Sequence, residues 1–469
     1  MPQSFSVQEI LQITGGRLIG KAPSSAILPD KISTDSRTLR KDDFFLALKG
    51  PRFDGHDFLE DCQRKGGIGA IVSEDILPPS PDFFLVRVKD TLQALEGLAK
   101  FHQRRLGPLL VAVSGSNGKT TVKEMIWQIL SRKYPTLKSS GNFNNQIGAA
   151  LSLLSLSSHH KFGVLEMGMN HRGEIARLAG MIEPTIGVIT NIQRAHFGFL
   201  GSMEEIKEAK AELIDYLNAR KKSWIVLNAD DSRTRELEGR ALCRVMSFGL
   251  VREARVWASE IRWDESSLDF QLDYGEEKQA IHLSLPGKYN VANAACASAV
   301  ALILGFSLED IAQGLADFRL PPHHFQVQIQ GGFRIIDDSY NANPDSMRAA
   351  LDLFKTTRGK RKIAIVGDML ELGGKSRLFH RKVGQYLASL RLDAVFTFGD
   401  LAREVAQEAR RGGVDDSFSF DDKDELVEEL LLYLREGDSL LIKGSRGMRM
   451  EDIVKKVRMR LCSPTSLRP

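Results

Sequence analysis

The chain has 469 residues, 42% of them hydrophobic and 26% charged, and its 64 basic against 60 acidic residues leave a formal charge of +4. That length suggests about three domains, and the apolar share is enough for several cores. So small a positive excess, with no basic stripe interleaved with aromatics, argues against nucleic acid or a membrane surface as partner.

The opening stretch MPQSFSVQEILQITGG has no basic start followed by an apolar run, so no signal peptide is expected. The longest apolar-rich stretch, residues 292–306, contains Asn293 and Ser298 and is too short to span a bilayer. Cys62, Cys243, Cys296 and Cys462 stand far apart with no metal-ligand spacing, which predicts reduced thiols and a cytoplasmic protein.

In chain order, a first block to about residue 105 mixes short strands (DFFLALKG, GAIVSE, FFLVRVKD) with helical patterns and closes on the helical TLQALEGLAKFHQRRL. The second block, 106–319, alternates apolar strands (VAVSG, FGVLE, IGVIT, SWIVLN) with amphipathic helices. It then carries a β-rich insert (ARVWASEIRW, SLDFQLDY, AIHLSLPG) and a helix from Asn290. Uniformly apolar strands alternating with helices predict a parallel sheet covered on both faces. The third block, 320–469, opens with a hairpin turned at Gly331-Gly332 and continues as IAIVGD, AVFTFGD and SLLIKG strands between helices. The expected fold is therefore α/β in three domains: a small mixed α/β domain (1–105), a central P-loop-type parallel-sheet domain (106–319) and a C-terminal Rossmann-like domain (320–469).

Ligands of open parallel sheets bind at the carboxyl ends of strands. Here VAVSG ends in a glycine loop, FGVLE in Glu166, and IGVIT runs on to Asn191 and His196. FRIID ends in Asp337 and Asp338, and IAIVG in Asp368. The loop SGSNGKTT has only Ser116 and Asn117 between Gly115 and Gly118, shorter than the common phosphate-loop spacing. Its glycines still allow backbone N–H groups to turn toward a phosphate, and the following helix adds its positive end. Lys119 would reach the outer phosphates and the Thr120 hydroxyl would ligate Mg²⁺. Glu166 and His196, bland in isolation, are candidate Mg²⁺ ligands beside such a loop. On charge alone EEIKEAKAEL reads as a solvated face, and nothing sets Lys210 apart from Lys207.

These stretches carry a resemblance. SGSNGKTTVKE, GNFNNQIGAALSLL, LEMGMNHRGEI, TNIQRAHFGFLGS, AKAEL, NVANA, DDSYNANPDSM, GDMLELG and IKGSRGMRME together resemble the Mur ligases, the ATP-dependent amide-forming enzymes of peptidoglycan synthesis. DDSYNANP and KGSRGMRME point to the branch that adds D-alanyl-D-alanine to a UDP-N-acetylmuramoyl-tripeptide. The resemblance implies ATP and Mg²⁺, with an acyl phosphate as intermediate. It implies ATP contacts by Gly115, Ser116, Asn117, Gly118, Lys119, Thr120 and Thr121, by Asn290 at adenine, by Asp338 at ribose and by His324. Metal ligation falls to Thr120, Glu166, His196 and Lys210 as a carbamate, so that Lys119, Glu166, His196 and Lys210 form the catalytic set. Ser36, Arg37, Asp54 and Gly55 would hold the uridine diphosphate. Asn144 and Asn145 would meet the UDP-sugar peptide, and Tyr340, Asn341, Asn343, Lys443 and Arg446 the nucleotide and dipeptide side. A monomer is expected.

Two positions depart from the family pattern. Tyr289 stands where the family has His, and His323-His324 stand where it has an ATP-contacting Arg, with Arg319 upstream as a possible substitute. For the base that takes the amine proton, His380 and Glu371 are candidates. Two other readings share the phosphate loop: a sister ligase that adds an amino acid to a UDP-muramoyl peptide or to folate, and a regulatory ATPase with no substrate pocket.

Overall fold

The structure, a computed structural model, describes residues 4–21, 26–51, 53–141, 143–195 and 197–461. His196 and Cys462 lie outside the described residues. Among the described residues three sheets account for the strands. In the first, Phe44–Leu46, Gly69–Val72 and Phe84–Arg87 run parallel, as their apolar runs predict, and are buried throughout but for Arg87. Two edges too short to show a period complete it, Ile32–Ser33 and the antiparallel Arg17–Ile19. The helix Thr91–Leu106, capped by Asp90 and ended by Gly107 at φ 66°, leads out of this domain. It packs on the helix Gln146–Leu154 of the next domain through Leu95, Leu98, Ala150 and Leu153.

Among the described residues the central sheet has nine strands. Thr136–Lys138, Phe162–Glu166, Leu109–Ser114, Ile186–Ile189, Trp224–Asn228 and Arg244–Gly249 are parallel neighbours in that order. The β-rich insert does not stand apart. Val256–Trp263 joins Arg244–Gly249 in parallel, and Leu268–Tyr274 and Glu277–Leu283 continue the same sheet antiparallel. The helices Lys119–Ser131 and Tyr289–Ile303 cover one face, burying Val122, Ile126, Ala294 and Val300. Glu174–Ile182 and Met203–Asn218 pack in the other apolar cluster, through Ile175, Leu178, Leu213 and Leu217.

The third sheet has the order Gln326–Gln330, Phe333–Asp337, Ser439–Lys443, Lys362–Gly367, Ala394–Phe398, Ser417–Phe420. Its hairpin turns at Gly331 (φ 58°) and Gly332 (φ 84°), the left-handed pair that a two-residue hairpin loop requires. Its remaining pairings are parallel, with strand order reversing across Ser439–Lys443. Among the described residues no helix is long and apolar enough to cross a membrane.

Candidate active site

The carboxyl ends of the central and third sheets face each other across a cleft of about 1440 Å³. The loop after Leu109–Ser114 forms its floor. Gly115 has φ 141°, and a Cβ there would lie 1.9 Å from Thr190 Oγ1; Gly118 has φ 80°, with Asn293 Oδ1 2.6 Å from its Cβ position. Both positions therefore need glycine. The next strand loop holds the phosphate loop in shape. Ser116 N donates to Asn191 O (3.0 Å), Asn117 N to Asn191 Oδ1 (2.9 Å) and Gln193 N to Ser116 Oγ (2.9 Å). Lys119 Nζ donates to the carbonyls of Gly115 (3.0 Å) and Ser116 (3.2 Å), at the mouth of its own loop.

Glu166, at the end of its strand, is 2% exposed. It accepts from Thr120 Oγ1 at 2.8 Å and from Asn144 Nδ2 at 2.9 Å, so a hydroxyl, a carboxylate and an amide meet at one point beside the loop. Oxygen donors so arranged fit Mg²⁺. Burial lowers the Lys119 pKa, against the pull of Glu166 and Glu371. Lys210 and Lys207, alike in sequence, part company here. Lys207 sits between Glu204 (3.0 Å) and Glu236 (2.7 Å) at the surface. Lys210 is 2% exposed behind the cleft and has no hydrogen-bond or ion-pair partner among the described residues. Burial, and then the charge of Lys119, hold its pKa well below the usual lysine range.

The third domain supplies the opposite wall. Asp338 accepts from Lys443 Nζ (2.7 Å) and Phe325 N (3.1 Å). Asn341 Oδ1 receives Arg446 N at 3.2 Å, and Asn343 caps the helix Pro344–Thr356 while its amide donates to Asn117 Oδ1 at 2.8 Å. Tyr340 lies against Thr120 and stacks on His324 with centroids 4.4 Å apart. His324 thus lines the cleft, and burial lowers its pKa. His323 turns away to Asp337 Oδ2 (2.7 Å). Arg319 does not replace the absent arginine: its guanidinium donates to Phe318 O (2.9 Å), outside the cleft lining.

The cleft thus gathers Ser116, Asn117, Gly118, Lys119, Thr120, Thr121, Asn144, Asn145, Glu166, Asn290, His324, Asp338, Tyr340, Asn341, Asn343, Lys443 and Arg446. Asn145 also caps the helix Gln146–Leu154. Asn290 is fully buried, donating to Pro286 O (2.8 Å) and accepting from Asn293 Nδ2 (3.0 Å). It is Asn293, one turn on and equally visible in NVANA, that stands beside the loop. Tyr289 lines the cleft, 41% exposed. Ser36, Arg37, Asp54 and Gly55 lie outside it, on the first domain. Arg37 is exposed and paired with Asp35, and Lys49 and His56 hold the Asp54 carboxyl well below the usual range. Of the two base candidates, Glu371 reaches the cleft and His380 does not. His380 is fully buried, with Nε2 accepting from Met369 N (2.9 Å) and Nδ1 facing Ser376 O (2.7 Å), so neither nitrogen remains for a proton from substrate.

Comparison with known proteins agrees with this geometry. Residues 113–301 match the Mur ligase middle domain and residues 325–446 the Mur ligase glutamate ligase domain. The chain is 34% identical to the UDP-N-acetylmuramoyl-tripeptide–D-alanyl-D-alanine ligase of Bacillus subtilis (strain 168), over 96% of this chain and 97% of that one. It superposes on MurF from Acinetobacter baumannii with a TM-score of 0.89 at 34% identity, covering 98% and 100% of the two chains. A second match is MurF ligase from Thermotoga maritima in complex with ADP, with a TM-score of 0.81 at 29% identity over 93% and 98%. A phosphate loop facing a third-domain wall, matched over nearly the whole chain, places this protein in one family: the chain belongs to the Mur ligases.

Proposed function

We propose that this chain is an ATP-dependent, ADP-forming ligase that joins D-alanyl-D-alanine to UDP-N-acetylmuramoyl-tripeptide in peptidoglycan precursor synthesis. The observation that carries the reading is the meeting of Lys119, Thr120, Glu166 and Asn144 at one end of a cleft whose other wall is built by DDSYNANP and KGSRG. A carboxylate does not react with an amine in water, because oxide is a poor leaving group. Transfer of the ATP γ-phosphoryl group to the tripeptide carboxylate gives an acyl phosphate. The dipeptide amine attacks its carbonyl carbon, loses a proton, and phosphate leaves. Lys119 and the loop N–H groups hold the transferring phosphoryl and offset its charge, which is positioning plus electrostatics. Thr120 and Glu166 would hold Mg²⁺, which when bound neutralises phosphate charge. His196, from the family pattern, would join them. Asn144 and Asn145 would orient the peptide, Asp338 the ribose, and Asn341, Lys443 and Arg446 the dipeptide side. Glu371 is the remaining candidate for the amine base.

Lys210 fits a carbamate. Carbon dioxide adds to a neutral amine, and burial, which holds the Lys210 pKa well below the usual lysine range, favours that form. The adduct gives up a proton from its nitrogen to solvent, leaving an anion that would answer the charge of Lys119 and offer oxygens to a metal. Residues 1–105 would bind the UDP-sugar, 106–319 activate the carboxylate and 320–469 bring the amine. A cytoplasmic monomer suits soluble substrates of this kind. The test is phosphate release with UDP-sugar tripeptides ending in lysine or in diaminopimelate, each with and without D-alanyl-D-alanine, with product mass measured. An amide product of the summed mass is expected from at least one tripeptide. Phosphate release by enzyme and ATP alone, without amide, would instead favour the regulatory ATPase.

A further inference from the structure

The start of the helix Pro344–Thr356 grips the phosphate loop at one point and the strand loop beside it at another. Its capping residue Asn343 donates to Asn117 Oδ1 at 2.8 Å. Two residues on, Asp345 takes hold of Arg194: Oδ2 accepts from the Arg194 backbone N (2.8 Å) and Nε (3.2 Å), and Oδ1 from a terminal guanidinium nitrogen (2.7 Å). Arg194 follows Gln193, whose carbonyl and amide oxygens accept from Ser116 Oγ (3.0 Å) and Asn117 Nδ2 (2.5 Å). The contacts close a ring: Asn343, Asn117, Gln193, Arg194, Asp345 and back to Asn343. One arc belongs to the central domain and the other to the third.

We propose that Asp345 and Arg194 are positioning residues that tie docking of the third domain to the shape of the phosphate loop. The inference rests on the ligase reading above. An acyl phosphate is open to water until the amine-bearing wall is in place. A carboxylate from that wall, clamping the strand loop that shapes Ser116 and Asn117, makes the loop's working geometry depend on the wall's arrival. The bidentate fork with a third bond to the backbone fixes both distance and orientation. Asp345 is largely buried and Arg194 about half exposed, so the pair can part and re-form without unpacking a core.

The test uses the full-length protein, with phosphate and amide product measured together. The unmodified enzyme must first yield amide; if it yields none, the ligase reading fails before this one is reached. Arg194→Ala, Asp345→Ala and the double variant are then compared, with Asp345→Asn as a milder change and thermal unfolding as a check on folding. Each alanine variant is expected to lower kcat about tenfold and to bring amide per phosphate below about one half, with KM for the UDP-sugar peptide within about twofold. The double variant should be no worse than either single one, because both break the same contact. Asp345→Asn, which keeps an acceptor for the backbone N–H, should fall between; if Asp345→Ala does not fold, it carries the comparison. A ratio that stays near one in every folded variant overturns the proposal, as do losses that multiply in the double variant.

Discussion

Two buried side chains of the central and third domains show how burial sorts chemistry at the residue scale. His380 has both ring nitrogens engaged by backbone groups, and burial keeps it neutral. Replacing it by Ala leaves the buried Met369 N–H without its partner, so a loss of about 1–3 kcal/mol in stability is expected. Turnover per folded molecule should change by less than about threefold. Denaturant unfolding and kcat on the same samples check this, and a collapse of kcat at full stability would return His380 to the chemistry. Lys210 is the opposite case, a buried amine with no partner among the described residues. Its folded pKa lies below the unfolded one, so the reactive neutral form gains population as pH rises through the folded value, well before an ordinary lysine would lose its proton. Activity should fall when carbon dioxide is stripped from the buffer and return with bicarbonate. Labelled bicarbonate should give a carbamate carbon signal that Lys210→Gln lacks. Had the choice between Lys207 and Lys210 rested on the sequence, the two would be equal, because their difference is which side of one helix meets the sheet.

At the scale of elements, the loop at Gly115 and the helix end at Glu183 make separable claims. A Cβ at Gly115 would strike Thr190 Oγ1 at 1.9 Å, on a backbone at φ 141°. Gly115→Ala should displace the loop and raise KM for ATP at least about tenfold. Nucleotide titration reads this directly, and an unchanged ATP affinity would mean the loop tolerates another shape. Glu183 ends the helix Glu174–Ile182 and ties it to Thr91–Leu106 and the Met203–Asn218 end. Burial pushes its pKa up, but the Arg104 hydrogen bond and the charges of Arg104, Lys100 and Arg220 outweigh this and hold it at about 2. A depressed carboxyl pKa stabilises the fold fully above the unfolded value near 4.5, and that contribution fades as pH falls toward 2. Glu183→Gln should therefore cost about 1–2 kcal/mol at pH 7 and progressively less below pH 4.5. A difference in melting temperature that persists undiminished at low pH would remove the ion pair as its cause. The parallel strands and their helices were legible, because an apolar run between amphipathic segments has one common solution. The edge strands Arg17–Ile19 and Ile32–Ser33 were not, since two or three residues carry no period. Nor was the continuity of the insert with the central sheet, which depends on the pairing of Phe248 with Val256.

For the molecule as a whole, the chemistry is divided between walls from different domains. ATP should therefore turn over negligibly unless the UDP-sugar tripeptide and the dipeptide are both present, which a phosphate assay omitting each in turn would read. Rapid hydrolysis with ATP alone would mean that the cleft works without its third-domain wall. Among the described residues the first domain sends only Leu92 to the cleft lining, while Ser36, Arg37, Asp54 and Gly55 lie elsewhere on it. UDP should accordingly bind without ATP, and Asp54→Ala should weaken UDP while leaving ATP affinity within about twofold; binding titrations separate the two. By itself the sequence determined the α/β class, the glycine loop, the hairpin at Gly331-Gly332 and the residues at the strand ends, because spacing, turn chemistry and apolar runs are local properties. The tertiary structure alone decided that Lys210 is buried and Lys207 is not, that His380 is occupied, that Asn293 stands at the loop, and that Asp345 meets Arg194. Each of these depends on contacts between segments far apart in the chain, where burial and partner, not residue type, set what a side chain can do.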